Sequence, residues 1–341
     1  MADSTFASLT ASAKRVLVLD LGFLGDTIHL LPALWVLRQH YAQAELHVMV
    51  AEHITGLIEC TPWVDKVWGY PRFPKGPKWY QDFARVAQLR QAGFEVILNL
   101  NGSDRSSYLT FFSGAKWRLG RCVQPSFGRR VFFTHLACVP RDTMLISEQH
   151  CAALQTAGFD GRNAGFHITV PEEAAARIAE CLGGTKGERR WIHVSPFTTQ
   201  DYKELPVGIL VKTLNELHRC RPEVPVVISC ANNERERGKL QTLLRGLEFK
   251  PHHIFEGTLS LADLVAVTSG SRLHLGGDSG GLHVAVMAGA PTLTWVRRYT
   301  GAVAWMPTGN GHRALVGEAS PEGLQGITSG ELVKAAVELL G

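Results

Sequence analysis

The stretch from Leu273 to Val296 is the feature that most restricts how this chain can fold. A β-rich run ends near Gly277, a short glycine-rich turn follows, and apolar residues at helical spacing then continue to Gly289. A second β-rich run spans Thr292 to Val296. This order predicts a β–loop–α–β unit whose helix begins at two adjacent glycines. Such a helix start suits an anion such as phosphate, although an ordinary glycine-rich turn would have the same pattern.

The rest of the sequence alternates β-rich and helical segments in two halves. A chain of 341 residues exceeds one ordinary core, and residues 158–171 combine Gly, Asn and Pro with little periodicity, as linkers do. We therefore predict an N-terminal domain over 1–170 and a C-terminal domain over 171–341, with a last helix able to pack back on the first domain. Each domain is predicted to be α/β and doubly wound, and the two to face each other across a cleft. Ligands of such sheets bind at the carboxyl ends of the strands, so the loops after strands carry the functional predictions.

Charge and cysteine content exclude several classes of protein. The net charge of +4 is too small for a dedicated nucleic-acid binder, although it is compatible with an anionic substrate. Seven scattered cysteines without a C-x-x-C pair indicate neither a zinc site nor a disulfide framework, which favours a cytoplasmic location. The first residues lack the apolar core of a secretory signal, and no apolar run is long enough to span a bilayer.

The loop after the first predicted strand, Gly22 to His29, places the carboxylate of Asp26 at a helix start. An ionised carboxylate is stabilised there, as a general base requires, but a helix-capping aspartate is the alternative. Gly22 and Gly25 do not form a dinucleotide fingerprint, because no G-x-G-x-x-G is present.

Two loops of the second half carry groups suited to a nucleotide. Thr198, Thr199 and Lys203 follow a predicted strand, and hydroxyls with an ammonium suit a diphosphate, although a solvated loop lysine is the alternative. In Asn232–Glu236 a carboxylate could accept hydrogen bonds from ribose hydroxyls, or simply stabilise a helix start. The chain has no D-x-D triplet and no H-E-x-x-H pair, so no metal motif is predicted.

Four segments in a fixed order carry a family resemblance: GDTIHLLPAL from Gly25, TTQDYKELP from Thr198, EGTLSL from Glu256 and DSGGLH from Asp278. Together they resemble glycosyltransferase family nine, the ADP-heptose:lipopolysaccharide heptosyltransferases. The resemblance implies the GT-B type, with two Rossmann-like domains, the acceptor in the first and the nucleotide sugar in the second. It also implies inverting, metal-independent transfer of a heptose from ADP-heptose to a Kdo or heptose of the lipopolysaccharide inner core, with no cofactor.

By position, the resemblance assigns Asp26 as the catalytic base. It assigns the donor contacts to Thr198, Thr199, Lys203, Glu234 (or Glu236, depending on the local gap), Asp278, Ser279, Gly280, Gly281 and His283. Asp20 departs from the family, which usually carries Lys or Arg at the end of strand one, and this leaves the donor sugar and the acceptor open.

The basic and aromatic loop around residues 70–80 is the predicted acceptor side. Arg72, Lys75 and Lys78 could hold the anionic, lipid-linked Kdo or heptose acceptor, or rest on the cytoplasmic face of the inner membrane as a peripheral contact. A solvated basic loop is the alternative. Three function classes follow: the heptosyltransferase or a related GT-B enzyme with another nucleotide sugar or acceptor, a nicotinamide oxidoreductase disfavoured by the missing fingerprint, and a non-catalytic nucleotide-sugar-binding protein.

Overall fold

The chain forms two compact units, Met1–Thr169 and Val170–Gly341. The computed structural model describes residues 5–72, 78–140, 144–162, 165–183, 188–299, 302–320 and 322–341. Each unit is built on its own parallel sheet, which helices cover. Such sheets are buried on both faces, so their strands consist of almost continuous apolar runs.

The first unit contains, in its described residues, a six-stranded parallel sheet in the order β3-β2-β1-β4-β5-β6. Its strands are β1 Arg15–Leu19, β2 Glu45–Ala51, β3 Lys66–Tyr70, β4 Val96–Asn99, β5 Trp117–Cys122 and β6 His135–Cys138. Its helices are α1 Phe6–Thr10, α2 Leu24–His40, α3 Asp82–Ala92, α4 Asp104–Phe112, α5 Phe127–Phe132 and α6 Ile146–Thr156, and Glu52–Cys60 and Trp79–Gln81 are 3-10 segments. Leu17, Leu19 and Ile97 lie at the centre of the core, fully buried.

The second unit repeats this arrangement in its described residues, with the strand order β12-β11-β10-β7-β8-β9. Its strands are β7 Trp191–Ser195, β8 Val226–Cys230, β9 His253–Glu256, β10 Ser271–Gly277, β11 Thr292–Arg297 and β12 His312–Gly317. Its helices are α7 Glu172–Leu182, α8 Val207–Cys220, α9 Glu234–Gly246, α10 Leu261–Ser269, α11 Gly280–Met287 and α12 Ser329–Leu340, with 3-10 turns at Asp201–Lys203, Ala302–Ala304 and Gly323–Gly326. When the strands of the second unit are numbered from its own first strand, β7, their order is that of the first unit read from the opposite edge of the sheet. Helix α12 packs on α8 and the sheet of this unit, where Leu332 and Leu340 join the core.

Both strand orders are those of doubly wound, Rossmann-type sheets, and each contains one point at which the winding reverses. The reversal lies between β1 and β4 in the first unit and between β7 and β10 in the second. Loops leave the carboxyl ends of those two neighbouring strands in opposite directions, which opens a crevice for a ligand.

The cysteine prediction was wrong at one pair. Cys122 and Cys138 form a disulfide, because β5 and β6 are neighbours and their register sets these two residues side by side, with 4.6 Å between the Cα atoms. The cysteine pattern therefore no longer supports a reducing compartment. Cys60, Cys151, Cys181, Cys220 and Cys230 are free thiols.

Candidate functional site

The winding reversal of the first sheet brings Asp20 next to Asn101. Asp20 directly follows β1, Asn101 follows β4 by two residues, and the Asn101 side-chain amide donates to Asp20 Oδ1 at 3.1 Å. The backbone N–H of Gly22 donates to the same oxygen at 2.7 Å. Asp20 is only 1% exposed, so its buried carboxylate holds the loop after β1 in place through these two hydrogen bonds.

Asp26 lies in the first turn of α2, directly beside that loop. The backbone N–H of Phe23 donates to Asp26 Oδ2 at 2.7 Å, so one carboxylate oxygen satisfies an N–H group at the helix start. A Cβ atom on Gly22 would lie 2.3 Å from Asp26 Cβ and 2.8 Å from Asp20 Oδ1. The two acidic side chains thus converge on Gly22, where only glycine leaves room for both.

Burial raises the proton affinity of both carboxylates. Burial, and then the nearby charge of Asp26, raise the pKa of Asp20 to about 6. Burial also raises the pKa of Asp26, opposed by the Phe23 N–H and by the positive charges of Arg72 and Arg121. A partly exposed carboxylate with a raised pKa at the end of a strand can act as a general base near neutral pH.

Of the three predicted acceptor residues, Arg72 is the one that the structure brings to Asp26. Its guanidinium lies 4.9 Å from the ring centre of Phe23, and its charge acts on the Asp26 carboxylate. Lys78 is exposed, with its ammonium 5.9 Å from the ring centre of Tyr80. Lys75 lies outside the described residues.

Arg121 was not predicted as a site residue, although it lies near the carboxyl ends of the strands of the first sheet, as Asp20 does. It occupies the carboxyl end of β5, where its guanidinium donates to Gln149 Oε1 at 3.2 Å. With Asn101 and Arg129 it lines a cavity of about 220 Å³. The only feature of the sequence that could have indicated a site role for Arg121 was its position near the end of a strand. The sequence did not show where that strand begins and ends.

The winding reversal of the second sheet joins Lys203 to Asp278. Lys203 comes from the loop after β7 and Asp278 directly follows β10, and Lys203 Nζ lies 2.7 Å from Asp278 Oδ2. The Tyr299 hydroxyl donates to the same oxygen at 3.4 Å. An ammonium is thereby held in a defined place at the carboxyl ends of β7 and β10.

The glycine loop predicted from the sequence forms the start of α11. The helix begins at Gly280 after an extended Ser279, so its first N–H groups and the positive end of its dipole lie beside Lys203 and Asp278. A Cβ atom on Gly277 would lie 2.7 Å from the Lys203 carbonyl oxygen, and one on Gly281 would lie 2.9 Å from Ser195 Oγ. These glycines therefore allow the loops after β7 and β10 to meet.

Comparison with known proteins identifies the family. The family model described as "Glycosyltransferase family 9 (heptosyltransferase)" matches residues 83–321, well over half of the chain. The chain belongs to glycosyltransferase family 9. Its resemblance to this family is confirmed, and the protein is a glycosyltransferase of the heptosyltransferase family.

The relatives of this family 9 glycosyltransferase are distant but extend over most of its length. The "Lipopolysaccharide core heptosyltransferase OpsX" of Haemophilus influenzae is 20% identical over 83% of this chain and 79% of its own. "Lipopolysaccharide heptosyltransferase 3" of Escherichia coli is 20% identical over 84% of each. A solved glycosyltransferase family 9 structure from Veillonella parvula has a TM-score of 0.85 at 22% identity, covering 96% of this chain and 97% of that one. The expected GT-B class, with two Rossmann-like domains, is confirmed.

The two threonines of the predicted donor site, Thr198 and Thr199, have different surroundings in this glycosyltransferase. Thr198 is buried, and its hydroxyl donates to the Gln200 carbonyl at 2.8 Å and accepts from the Gln200 N–H at 3.1 Å. Thr199 lies exposed at the surface. Thr198 thus shapes the turn that leads to Lys203, whereas the Thr199 side chain faces solvent.

The two candidate ribose acids also have different surroundings. Glu236 is buried and accepts from the Ala231 N–H at 2.7 Å and from the Asn233 side chain at 3.2 Å, so it holds the loop before α9 together. Glu234 is exposed at the first position of α9. This arrangement leaves Glu234 as the acid accessible to a ligand.

His283 lies inside α11 and is buried, with its ring 5.6 Å from that of Trp305. Burial, and then the positive charge of Lys203, lower the pKa of His283 to about 4. The imidazole is therefore neutral at physiological pH and can offer a donor or acceptor without adding charge.

In the described part of the chain, none of the helices has the length and apolarity that a membrane span requires.

Proposed function

We propose that this enzyme moves a heptose from ADP-heptose to a Kdo or heptose residue of the lipopolysaccharide inner core, with inversion at the anomeric carbon. The observation that carries the proposal is the pair of clusters at the two winding reversals. One holds a carboxylate with raised proton affinity, Asp26, and the other holds an ammonium, Lys203, beside a glycine-rich helix start. The names of the lipopolysaccharide heptosyltransferases among its relatives support this substrate class.

Asp26 is the proposed catalytic base. As the acceptor hydroxyl attacks the anomeric carbon, its proton passes to Asp26, the new glycosidic C–O bond forms, and the bond from the anomeric carbon to the β-phosphate oxygen breaks. Oδ2 of Asp26 is occupied by the Phe23 N–H, so Oδ1 is the oxygen that takes the proton. The electron pair of the broken bond leaves with ADP.

The donor is assigned to the second domain, residues 171–341, and the acceptor to the first, residues 1–170. Lys203 and the N–H groups at the start of α11 stabilise the charge that develops on the leaving ADP. The remaining proposed donor contacts are Thr198 through its turn, Thr199, Glu234 to the ribose, Asp278, Ser279, Gly280, Gly281 and His283. Asp278 orients the Lys203 ammonium through their ion pair.

Arg72, with Lys75 and Lys78, is proposed to hold the anionic lipid-linked acceptor. Such an acceptor places the enzyme in the cytoplasm, with a peripheral contact on the inner membrane. The proposed mechanism is metal-independent and uses no cofactor, because Lys203 and helix dipoles supply the positive charge. Asp20, which replaces the Lys or Arg usual in the family, favours a second candidate: the same GT-B chemistry with another nucleotide sugar or acceptor.

The test is the substitution Asp26→Asn. Asparagine keeps the size and the hydrogen bond to Phe23 but cannot take the acceptor's proton, so the rate of ADP release with ADP-heptose and a Kdo-lipid acceptor, in EDTA, should fall about 10²–10⁴-fold. The melting temperature and the affinity for ADP should match the wild type. Asp160→Asn, which removes an exposed carboxylate paired with Arg162, is the matched control and should keep full activity.

Two results would contradict the proposal. A folded Asp26→Asn enzyme with near-normal turnover would reduce Asp26 to a helix-capping residue. A wild-type protein that binds another nucleotide sugar and fails to transfer heptose would favour the second candidate.

A further inference from the structure

We propose that Glu204 is a positioning residue that clamps the loop carrying Lys203 onto helix α9, and so holds Lys203 where it contacts the diphosphate of the nucleotide sugar. The inference rests on the proposed function, in which Lys203 is a donor contact. It concerns a buried carboxylate that the proposed mechanism does not otherwise use, since the Glu204 side chain is only 5% exposed.

The Glu204 carboxylate joins the two ends of the loop segment 198–204. Its Oε1 accepts from the Thr198 backbone N–H at 2.8 Å. Lys203 lies within this segment, directly before Glu204, and its ammonium reaches Asp278 Oδ2 at 2.7 Å. A hydrogen bond from a backbone N–H to a carboxylate is charge-assisted and therefore strong. It restricts the backbone from which the Lys203 side chain extends.

The same carboxylate ties this loop to α9. The Arg235 guanidinium donates to Glu204 Oε1 at 3.1 Å, and the Lys239 ammonium donates to Glu204 Oε2 at 2.5 Å. Arg235 and Lys239 are four residues apart on α9, so they lie on one face of the helix. Arg235 also donates to the Thr198 carbonyl oxygen. The helix therefore holds both oxygens of the carboxylate and the backbone at the start of the loop.

This clamp sets two proposed donor contacts at a defined distance from each other. Lys203 and Glu204 are neighbours in the chain, and so are Glu234 and Arg235. The ion pair of Glu204 with Arg235 thus joins the backbone that carries the proposed diphosphate contact to the backbone that carries the proposed ribose contact. A nucleoside diphosphate has its ribose and its diphosphate at a fixed covalent spacing, so it is the class of ligand that such a clamp suits.

Asp201 pairs with the same two cations, but it cannot replace Glu204. The Asp201 side chain is 73% exposed, and ion pairs of exposed side chains contribute little to a fixed geometry. Glu204, in contrast, is buried and accepts from the N–H of a buried residue, Thr198. The positioning role therefore falls on Glu204.

The substitution Glu204→Ala separates positioning from charge. Loss of a negative charge near the diphosphate would by itself tighten ADP binding, whereas loss of the clamp should weaken it. We expect the Kd for ADP, measured by calorimetric titration well below the melting temperature, to rise by about tenfold, a usual size of coupling within one hydrogen-bond network. Glu338→Ala, which removes an exposed carboxylate on α12, is the matched control and should bind ADP as wild type does.

A double-mutant cycle with Lys203→Ala shows whether Glu204 acts through Lys203. When Lys203 is already absent, there is no ammonium left to position, so adding Glu204→Ala should raise the Kd for ADP by less than about twofold. A purely structural role would lower the melting temperature and leave the ADP affinity of the folded protein unchanged.

Three results would overturn the role of Glu204 while leaving the proposed donor site intact. They are an unchanged Kd in Glu204→Ala, a lower Kd in that variant, and an equal rise of the Kd with and without Lys203. If Glu204→Ala does not fold, Arg235→Met breaks the clamp from the side of α9, and the same cycle with Lys203→Ala decides. A wild-type protein that does not bind ADP, or a Lys203→Ala variant that binds it normally, would instead refute the proposed donor site and the clamp with it.

Discussion

Lys203 is the cation that the structure pairs with Asp278 at the winding reversal of the second sheet. Lys203→Ala should weaken ADP binding by about 1.5–3 kcal/mol, the usual contribution of a hydrogen bond to a charged group. The loss is increased because Asp278, whose side chain is 10% exposed, keeps its negative charge beside the diphosphate without a partner ammonium. Calorimetric titration with ADP measures the effect.

Lys334→Ala is the matched control for this charge loss. Lys334 is exposed on α12 of the same unit, so its removal changes net charge equally and should leave the ADP affinity unaltered. If Lys203→Ala binds ADP as tightly as the control, Lys203 does not contact the donor.

Glu234 and Glu236 should respond differently to the same substitution. Glu234→Ala removes an exposed carboxylate, so the proposed ribose contact is lost, ADP should bind several-fold less tightly, and the melting temperature should hold. Glu236→Ala leaves the Ala231 N–H without its partner, and such a loss costs about 1–3 kcal/mol of stability. Melting curves and ADP titrations of both variants check this. The reverse result, with Glu236→Ala stable and unable to bind, would make Glu236 the ribose acid.

The loop between β10 and α11 is the element on which the proposed donor site depends. Gly277→Ala should displace it, because the new Cβ would meet the Lys203 carbonyl oxygen at 2.7 Å and Trp295 Nε1 at 2.9 Å. Overpacking of this kind costs about 1–3 kcal/mol, and here the strain acts directly on the Lys203 loop. We expect a lower melting temperature and weaker ADP binding.

Gly208→Ala provides the comparison, since a Cβ on Gly208 in α8 meets nothing within 4 Å. Alanine also favours a helix over glycine, so this variant should be at least as stable as wild type and bind ADP normally. Equal ADP binding by the two variants would show that the close approach at Gly277 does not shape the donor site.

Elements with clean periodicity could be predicted from the sequence. The strand Trp191–Ser195 and the helix Ser329–Leu340 follow apolar patterns that are visible in the sequence, and Ser260 and Asp263 form the capping box that their spacing indicates. Short elements of mixed polarity could not be delimited. β6 and β9 have four residues each, HLAC and HIFE, too few for an alternating pattern to stand out.

The disulfide and the site position of Arg121 were both missed because they depend on which strands lie side by side. Cys122 pairs with Cys138, and Arg121 reaches the cluster around Asp20, because β5 lies between β4 and β6. Sequence spacing predicted that Asp26 and Lys203 lie at strand ends, but their partners are set by which strands become neighbours. That neighbour relation between distant segments is what a single sequence does not reveal.

At the scale of the whole molecule, the two units bury titratable groups of different kinds. His193 and His274 lie fully buried in the second unit, with their Nδ1 atoms 3.1 Å apart, and His283 is also buried. Burial lowers the pKa of His193 to about 3 and that of His283 to about 4, and burial with the charge of His193 lowers that of His274 well below its ordinary value. Among the described residues of the first unit, burial lowers the pKa of His150 well below its ordinary value and also lowers that of His47, whereas the pKa of Asp20 is shifted in the opposite direction.

The second unit should therefore be the more acid-labile one. A histidine with a lowered folded pKa contributes stability above its unfolded pKa of about 6.5, and that stability is lost as the pH falls toward the folded value, by about 1.4 kcal/mol per pH unit. Three such imidazoles reduce the free energy of unfolding by about 3 kcal/mol between pH 6.5 and 5.5, because the unfolded imidazoles are already half protonated at pH 6.5. In the first unit the loss of stability from His150 is opposed by Asp20, whose raised folded pKa adds stability as the pH falls through about 6.

Hydrogen exchange followed by peptide mass analysis at pH 7.5 and 5.5, corrected for intrinsic rates, should show protection lost mainly over 188–299. Protection should stay constant between pH 7.5 and 8.5, where none of these groups changes its charge. Equal loss of protection in both units at pH 5.5 would contradict the greater acid lability of the second unit. No loss in the second unit would mean that His193, His274 and His283 accept protons without unfolding it.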